Sequence, residues 1–411
     1  MSHSLSSAPK PSSISPVIVG HRGFKSQYTE NTVIGFTKCY ESGATVLETD
    51  LWLSSDNVIV ISHDQSTKRI FVDSEGNDTD YVITETPFDP VLKSLKTKEG
   101  GYPLLAFVDL VTWYQQYVAS HEEPSDDLFK LQLDIKKFNP TKITKNILTD
   151  LLSVHDDLSY WYSRVQFGIW DLKFLKYLNQ DDFFQSEIFG AVDAWGNRQF
   201  DVFHISLNWR DSINYINYNY YLDETTPKDR KSLKLTGVSL LYISTWSTEF
   251  LTKFIPLLQI QGLKFYSWTI NNKFQFQYLN KVGEMAKLVE YGIITDSPDT
   301  MVEYKDSLLR QRLESIELHA SDSASSEKTL VDYGSNQYYN EDGDLNIELT
   351  LRQQVLYWLY TQFTLLNGSN RKIKTESQKF AYPVDGDKVE PNRTNPLASW
   401  LFQTCQKYGI F

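Results

Sequence analysis

The chain has 411 residues, 41% hydrophobic and 14% aromatic, enough apolar material for one large domain with appendages or two ordinary domains. A net charge of -12 argues against a nucleic-acid partner, which needs a basic face, and leaves any anionic ligand to be drawn by a local positive site. The only cysteines, Cys39 and Cys405, are far apart, so no disulfide framework is expected and a reducing, intracellular setting is the default.

Residues 1–15 are rich in Ser and Pro, lack the apolar core of a secretory signal, and are expected to form a disordered tail. Short β-branched and aromatic runs then alternate with longer helix-like segments. Strands are predicted at 17–20, 44–52, 129–136, 165–170, 202–207, 235–242, 263–270 and 291–296. Between them, "TVIGFTKCYESG" and "STEFLTKFIPLLQIQG" carry apolar residues at helical spacing and finish on Gly, a helix-stop signal. Eight strands alternating with helices over about 280 residues point to an α/β fold, a (β/α)₈ TIM barrel, which typically takes ~250 residues. A doubly wound sheet is the structural alternative. The barrel is placed at 16–305, with residues 65–105, dense in Asp, Thr, Gly and Pro, inserted between the second strand and its helix.

Beyond the barrel the character changes. Residues 306–348 are polar, acidic and poor in aliphatics, which predicts a flexible linker. Residues 349–411 are expected as a C-terminal amphipathic helical tail. Its first part, "LRQQVLYWLYTQFTLL" (351–366), places Leu351, Val355, Leu359 and Phe363 near one helical stripe, widened by Leu356 and Trp358. A second apolar cluster, "PLASWLFQTCQKYGIF", closes the chain. Sixteen helical residues reach about 24 Å, short of a ~30 Å hydrocarbon core. The helix is therefore read either as docked on protein or as an interfacial anchor. The expected location is cytoplasmic, with peripheral contact to membranes or lipid droplets through the tail.

Charged residues collect at predicted strand ends. The first strand stops at Gly20-His21-Arg22, a pair of positive or protonatable groups suited to an anion. In "ETD", Glu48 and Asp50 are two apart on a strand and leave the same face. Two acids inside a barrel repel and lose hydration unless a cation lies between them. If Asp56-Asn57 forms a two-residue hairpin loop, Ser55 pairs with Val58 and His63 falls opposite Asp50. In "LDIK", Asp134 and Lys136 share a face, with Lys137 on the other. Three carboxylates and no His/Cys cluster suit a hard divalent cation, Mg²⁺ or Ca²⁺, in preference to zinc.

"GHRGF…ENT", "LETD", "SHD", "LDIK", "SWTIN" and "IITDSPD", in this order, resemble the glycerophosphodiester phosphodiesterases over roughly residues 17–302. Within that family the likeness is greatest to the fungal phosphatidylglycerol-specific phospholipases C. The resemblance implies a (β/α)₈ barrel with its site at the carboxyl ends of the strands. It implies metal ligands Glu48, Asp50 and Asp134, an acid–base pair His21 and His63, phosphate contacts from Arg22 and Lys136, and Trp268 near the substrate glycerol. It further implies attack by the substrate's own glycerol 2-hydroxyl, either histidine starting as the base. Thr29 stands where the family usually has Pro, Asn57 where it has Gly, and Asp134 where it often has Glu. The expected function is hydrolysis of a phospholipid or glycerophosphodiester, foremost phosphatidylglycerol. Soluble glycerophosphodiesters, or lysophospholipids cut on the far side of phosphorus, are the alternatives. A degenerate barrel kept as a binding module is the non-enzyme alternative. Glu30-Asn31-Thr32 is expected to cap the next helix and brace Arg22.

Overall fold

The structure is a computed structural model, described here for residues 15–121, 129–182, 199–227, 230–322, 349–366, 380–389 and 400. Its strands in chain order are β1 (Val17–Gly20), β2 (Val46–Leu53), β3 (Ile59–Ile61), β4 (Phe71–Val72), β5 (Lys96–Thr97), β6 (Lys130–Ile135), β7 (Val165–Ile169), β8 (Asp201–Ser206), β9 (Gly237–Leu241), β10 (Lys264–Trp268) and β11 (Tyr291–Thr295). β1, β2 and β6 to β11 run parallel, and β1 pairs with both β11 and β2, which closes an eight-stranded barrel. Helices lie between successive barrel strands, among them Val33–Glu41, Phe107–Ala119, Ile143–Val154 and Trp209–Thr225. This is the (β/α)₈ architecture that the alternation of strand and helix signals predicts, and the doubly wound sheet is excluded by closure.

Two cores hold the barrel together. An inner cluster is made of Val19, Val46, Phe203, Tyr266 and Ile294. Its two large rings fit because their neighbours lack side chains: a Cβ on Gly237 would lie 2.5 Å from Phe203, and one on Gly292 would lie 2.6 Å from Tyr266. The outer cluster, where strands meet helices, is far larger and includes Phe36, Tyr114, Ile147, Trp161, Phe174 and Tyr218. A strand buried on both faces reads as a near-continuous apolar run, which is why these segments stand out in the sequence.

The β2–β3 hairpin departs from the expected register. Trp52 pairs with Val60 and Leu53 with Ile59, so Ser62, whose N–H donates to the Asp50 carbonyl at 3.1 Å, stands opposite Asp50. The loop has three residues, with the Ser54 N–H donating to the Val58 carbonyl at 2.9 Å and Asn57 in the left-handed region at φ 65°. A two-residue loop would shift the pairing by one and turn every β3 side chain over. His63 therefore lies beyond the end of β3, not in the ladder.

After the hairpin, the insertion carries β4 and β5 and builds its own apolar cluster from Trp52, Val60, Phe71, Ile83, Leu92, Leu95 and Leu104. At the other end of the barrel sequence, the helix Pro298–Asp322 runs on past residue 306, so the first part of the expected linker is helical. The rest of that linker, residues 1–14 of the expected tail at 1–15, and the C-terminal cluster other than Trp400 lie outside the described residues.

The helix Leu351–Leu366 spans the predicted segment but presents a different face. Tyr360, Phe363 and Thr364 are buried, and the Tyr360 hydroxyl donates to the Leu207 carbonyl at 2.6 Å. Leu351, Val355, Trp358 and Leu359 are exposed, so three of the four stripe residues point outward. The helix packs beside Tyr242–Thr245, the turn that follows β9, at the carboxyl rim of the barrel. Among the described residues no helix is long and apolar enough to cross a membrane.

Candidate active site

β1 delivers His21 and Arg22 to the rim. Gly20 makes the turn possible, because a Cβ there would lie 2.6 Å from the Gly23 carbonyl oxygen and closer still to Cys39 Sγ. Arg22 itself is left-handed, at φ 55°, a conformation that surrounding contacts must hold. Its N–H donates to Glu48 Oε2 at 2.8 Å and its Nη1 to Glu30 Oε1 at 3.2 Å. Glu30 thus braces Arg22, and Thr32 caps the helix Val33–Glu41 by accepting from the Gly35 N–H.

β2 contributes Glu48 and Asp50, and β6, in parallel register, sets Asp134 beside Asp50. Oxygens of the three buried carboxylates lie within 4.8 Å of one another. Lys136 Nζ stands between two of them, 2.5 Å from Asp50 Oδ1 and 2.7 Å from Asp134 Oδ2. Asn31, also left-handed at φ 58°, donates to Asp50 Oδ2 at 2.9 Å, and the Trp170 indole N–H donates to Asp134 Oδ1 at 2.7 Å.

The electrostatics of this cluster are unbalanced. Burial, then the charges of Asp50 and Asp134, hold the Glu48 carboxyl well above the usual carboxylate range. Burial also raises Asp134, with Asp50 adding to it against Lys136. At Asp50 burial acts upward, but Lys136, His63 and Arg22 together hold it well below its ordinary value. Three buried carboxylates facing two cations leave a site that a hard divalent cation with oxygen preference fits. Glu48, Asp50 and Asp134 are the residues that could hold it.

Two histidines flank the acids. His21 Nδ1 lies 2.6 Å from Asp296 Oδ1, and His63 Nδ1 lies 2.7 Å from Asp64 Oδ1. A carboxylate only accepts, so in each pair Nδ1–H is the donor and Nε2 is left for proton exchange. Burial, then Arg22, lowers His21; burial, then Arg22 and Lys136, lowers His63 to about 4. Both shifts favour the neutral ring.

His21, Arg22, Glu48, His63, Asp134, Lys136 and Trp268 line one cavity, with Asp50 directly behind it at 1% exposure. The Trp268 ring stands edge-on to Trp170, centroids 5.8 Å apart, and both line the cavity. Sequence reasoning gave Asn31 only a capping and bracing role, and it assigned none to Asp64, Trp170 or Asp296. Asp296 ends β11 in "IITDSPD" and Trp170 follows β7 in "FGIW", so position at a strand's carboxyl end was the available signal.

A model of the glycerophosphoryl diester phosphodiesterase family matches residues 21–300. A glycerophosphodiester phosphodiesterase of Bacillus altitudinis is 33% identical over 108 residues, 26% of this chain and 44% of that protein. The glycerophosphoinositol inositolphosphodiesterase of Homo sapiens is 46% identical over 54 residues, 13% of this chain and 10% of that protein. The matched segments thus span less than half of these relatives' lengths. The crystal structure of a Silicibacter pomeroyi protein, provisionally called a glycerophosphoryl diester phosphodiesterase, superposes with a TM-score of 0.50 at 16% identity, covering 72% of this chain and 94% of that one. That likeness is one of fold.

Proposed function

The chain belongs to the glycerophosphoryl diester phosphodiesterase family, and from this premise we propose that it is a metal-dependent phosphodiesterase cleaving phosphatidylglycerol to diacylglycerol and glycerol 3-phosphate. The observation that carries this reading is the convergence of three carboxylates from β2 and β6 with two imidazoles whose Nδ1 atoms are already committed.

Each residue then has a task. Glu48, Asp50 and Asp134 would hold a divalent cation, Mg²⁺ or Ca²⁺, which would supply Lewis-acid charge for the phosphate. Arg22 and Lys136 add fixed positive charge there; the guanidinium offers a fork that an ammonium cannot. One imidazole takes the proton of the head-group 2-hydroxyl as its oxygen attacks phosphorus. The other gives a proton to the diacylglycerol oxygen as its bond to phosphorus breaks, leaving a cyclic glycerol phosphate. Water then opens the ring with the roles reversed. Trp268 packs against the glycerol. A phosphodiester anion entering beside a neutral ring favours its protonated form, which supplies the acid.

Incubation with a panel of defined phospholipids, with products identified by mass, tests the reading. The expected result is diacylglycerol and glycerol 3-phosphate from phosphatidylglycerol. Turnover of deacylated diesters alone would transfer the assignment to soluble substrates, and no turnover of any diester would leave a binding module.

The same reading assigns the exposed face of the helix Leu351–Leu366 to a phospholipid surface. Leu351 is 78% and Trp358 59% exposed, and the helix stands at the rim that bears the cavity. An apolar helical face of this kind binds at an interface without spanning it. Replacing Leu351, Val355 and Trp358 together by Ser is expected to reduce co-flotation with phosphatidylglycerol vesicles several-fold. Turnover of a water-soluble glycerophosphodiester should be unchanged. Equal flotation of variant and parent would assign this face to a protein partner.

A further inference from the structure

Arg69 belongs to the insertion, on the short turn Thr67–Arg69, and is absent from the roles assigned above. Its guanidinium nevertheless reaches both arms of the site. Nη1 and Nη2 donate to the two oxygens of Glu30, at 3.0 and 2.7 Å, and Nε donates to Asp64 Oδ2 at 2.5 Å. Glu30 is the carboxylate that accepts from Arg22 Nη1, and Asp64 is the one that fixes His63 Nδ1. Two relays therefore start at one planar group: Arg69–Glu30–Arg22 and Arg69–Asp64–His63.

The charges on these relays are strongly fixed. At Glu30 burial acts upward, yet the Arg69 hydrogen bonds and the charge of Arg22 bring the carboxyl down to about 2. Asp64 is likewise held well below its ordinary value, against burial, by His63 and Arg69. The turn bearing Arg69 leads into the insertion's own apolar cluster, against which the next residue, Ile70, packs and in which Phe71 and Ile83 are buried. An ordinary surface ion pair would engage one carboxylate; this fork engages two, each carrying a different functional group.

We propose that Arg69 is a positioning residue, through which the insertion sets the phosphate-binding Arg22 and the proton-transferring His63 in fixed relation. The inference rests on the roles given to Arg22 and His63 above. It also gives the insertion a purpose: the outer half of the site is aligned by a segment that is not part of the barrel. His63 lies past the end of β3, where no ladder holds it, and Arg22 sits in a left-handed turn, so both need such a brace.

Arg69→Ala and Arg69→Lys, assayed with phosphatidylglycerol and Mg²⁺, test this. Misalignment of reacting groups by about 1 Å can lower a rate ~10²-fold, and a kcat loss of that order is expected for Arg69→Ala, with a rise in KM from the Arg22 arm. Arg69→Lys, which keeps charge and stem but lacks the fork, should recover little; it also serves if the alanine variant does not fold. Added guanidinium ion should restore part of the lost kcat in Arg69→Ala and none in the parent. Parent-like kcat and KM in either variant, or no rescue, would overturn the proposal. A readout independent of turnover is the ring nitrogen spectrum of His63 by long-range ¹H–¹⁵N correlation. The parent should show a single Nδ1–H tautomer, and Arg69→Ala a mixture. An unchanged tautomer overturns the His63 arm, whereas a parent inactive on phosphatidylglycerol overturns the phosphatidylglycerol reading alone and leaves the spectrum to decide.

Discussion

Replacing Glu48 by Gln is expected to lower phosphodiesterase turnover at least ~10³-fold, and excess chelator should do the same to the parent. Gln keeps the length of the side chain and an oxygen able to accept the Arg22 N–H, which Glu48 Oε2 now accepts at 2.8 Å. Only the charge is removed. The same substitution should leave the metal-free protein as stable as the parent or more so. Burial and the neighbouring Asp50 and Asp134 raise the Glu48 carboxyl well above its unfolded value. A group shifted this way binds its proton more tightly when folded, so its ionisation destabilises the fold progressively as pH rises from its unfolded pKa through the folded one. That penalty is absent in the Gln variant. A divalent cation reverses the sign for the parent, stabilising it by mass action, and should do much less for the variant. Melting curves with and without Mg²⁺ or Ca²⁺, beside the activity, check both halves. Full turnover of Glu48→Gln, or full turnover of the parent in chelator, would sink the metal-dependent reading.

The barrel was legible because its strands are buried on both faces and so stand out as short apolar runs bounded by turn residues. The same logic placed Glu48 and Asp50 on one face and Asp134 with Lys136 on another, which the parallel register of β2 and β6 then joins. Register across a hairpin was not legible. Asp56-Asn57 suits a two-residue loop by composition, yet Ser55 joins it to make three, with Asn57 absorbing the left-handed turn. The ordering partners of the site were hidden for a different reason. Asp296 lies 275 residues from His21, and Arg69 lies 39 from Glu30, and no local pattern says which loops meet over a barrel. The helix Leu351–Leu366 shows the limit of periodicity. Its span follows from pattern, but a polar tip chose its face: Tyr360 could bury its ring because Leu207 offered a carbonyl to its hydroxyl.

His63→Ala is expected to lower kcat by ~10³-fold or more with little change in KM, since general acid–base catalysis by one positioned ring contributes ~10²–10⁴-fold. Burial, then Arg22 and Lys136, favour the neutral ring, and Nδ1–H is given to Asp64, so what the variant loses is a proton-exchanging Nε2. A loss below tenfold would remove His63 from the pair. His21→Ala should give a loss of similar size, because His21 is held by Asp296 in the same way. The two variants differ in how they should respond to the leaving group. Diacylglycerol needs a proton as it departs, but 4-nitrophenolate does not. The glycerol 4-nitrophenyl phosphodiester should therefore restore most of the rate to whichever variant lacks the general acid. It should restore little to the variant that lacks the base, since the 2-hydroxyl must still lose its proton. Equal recovery by both variants, or by neither, would mean that the two imidazoles do not divide the proton transfers between them.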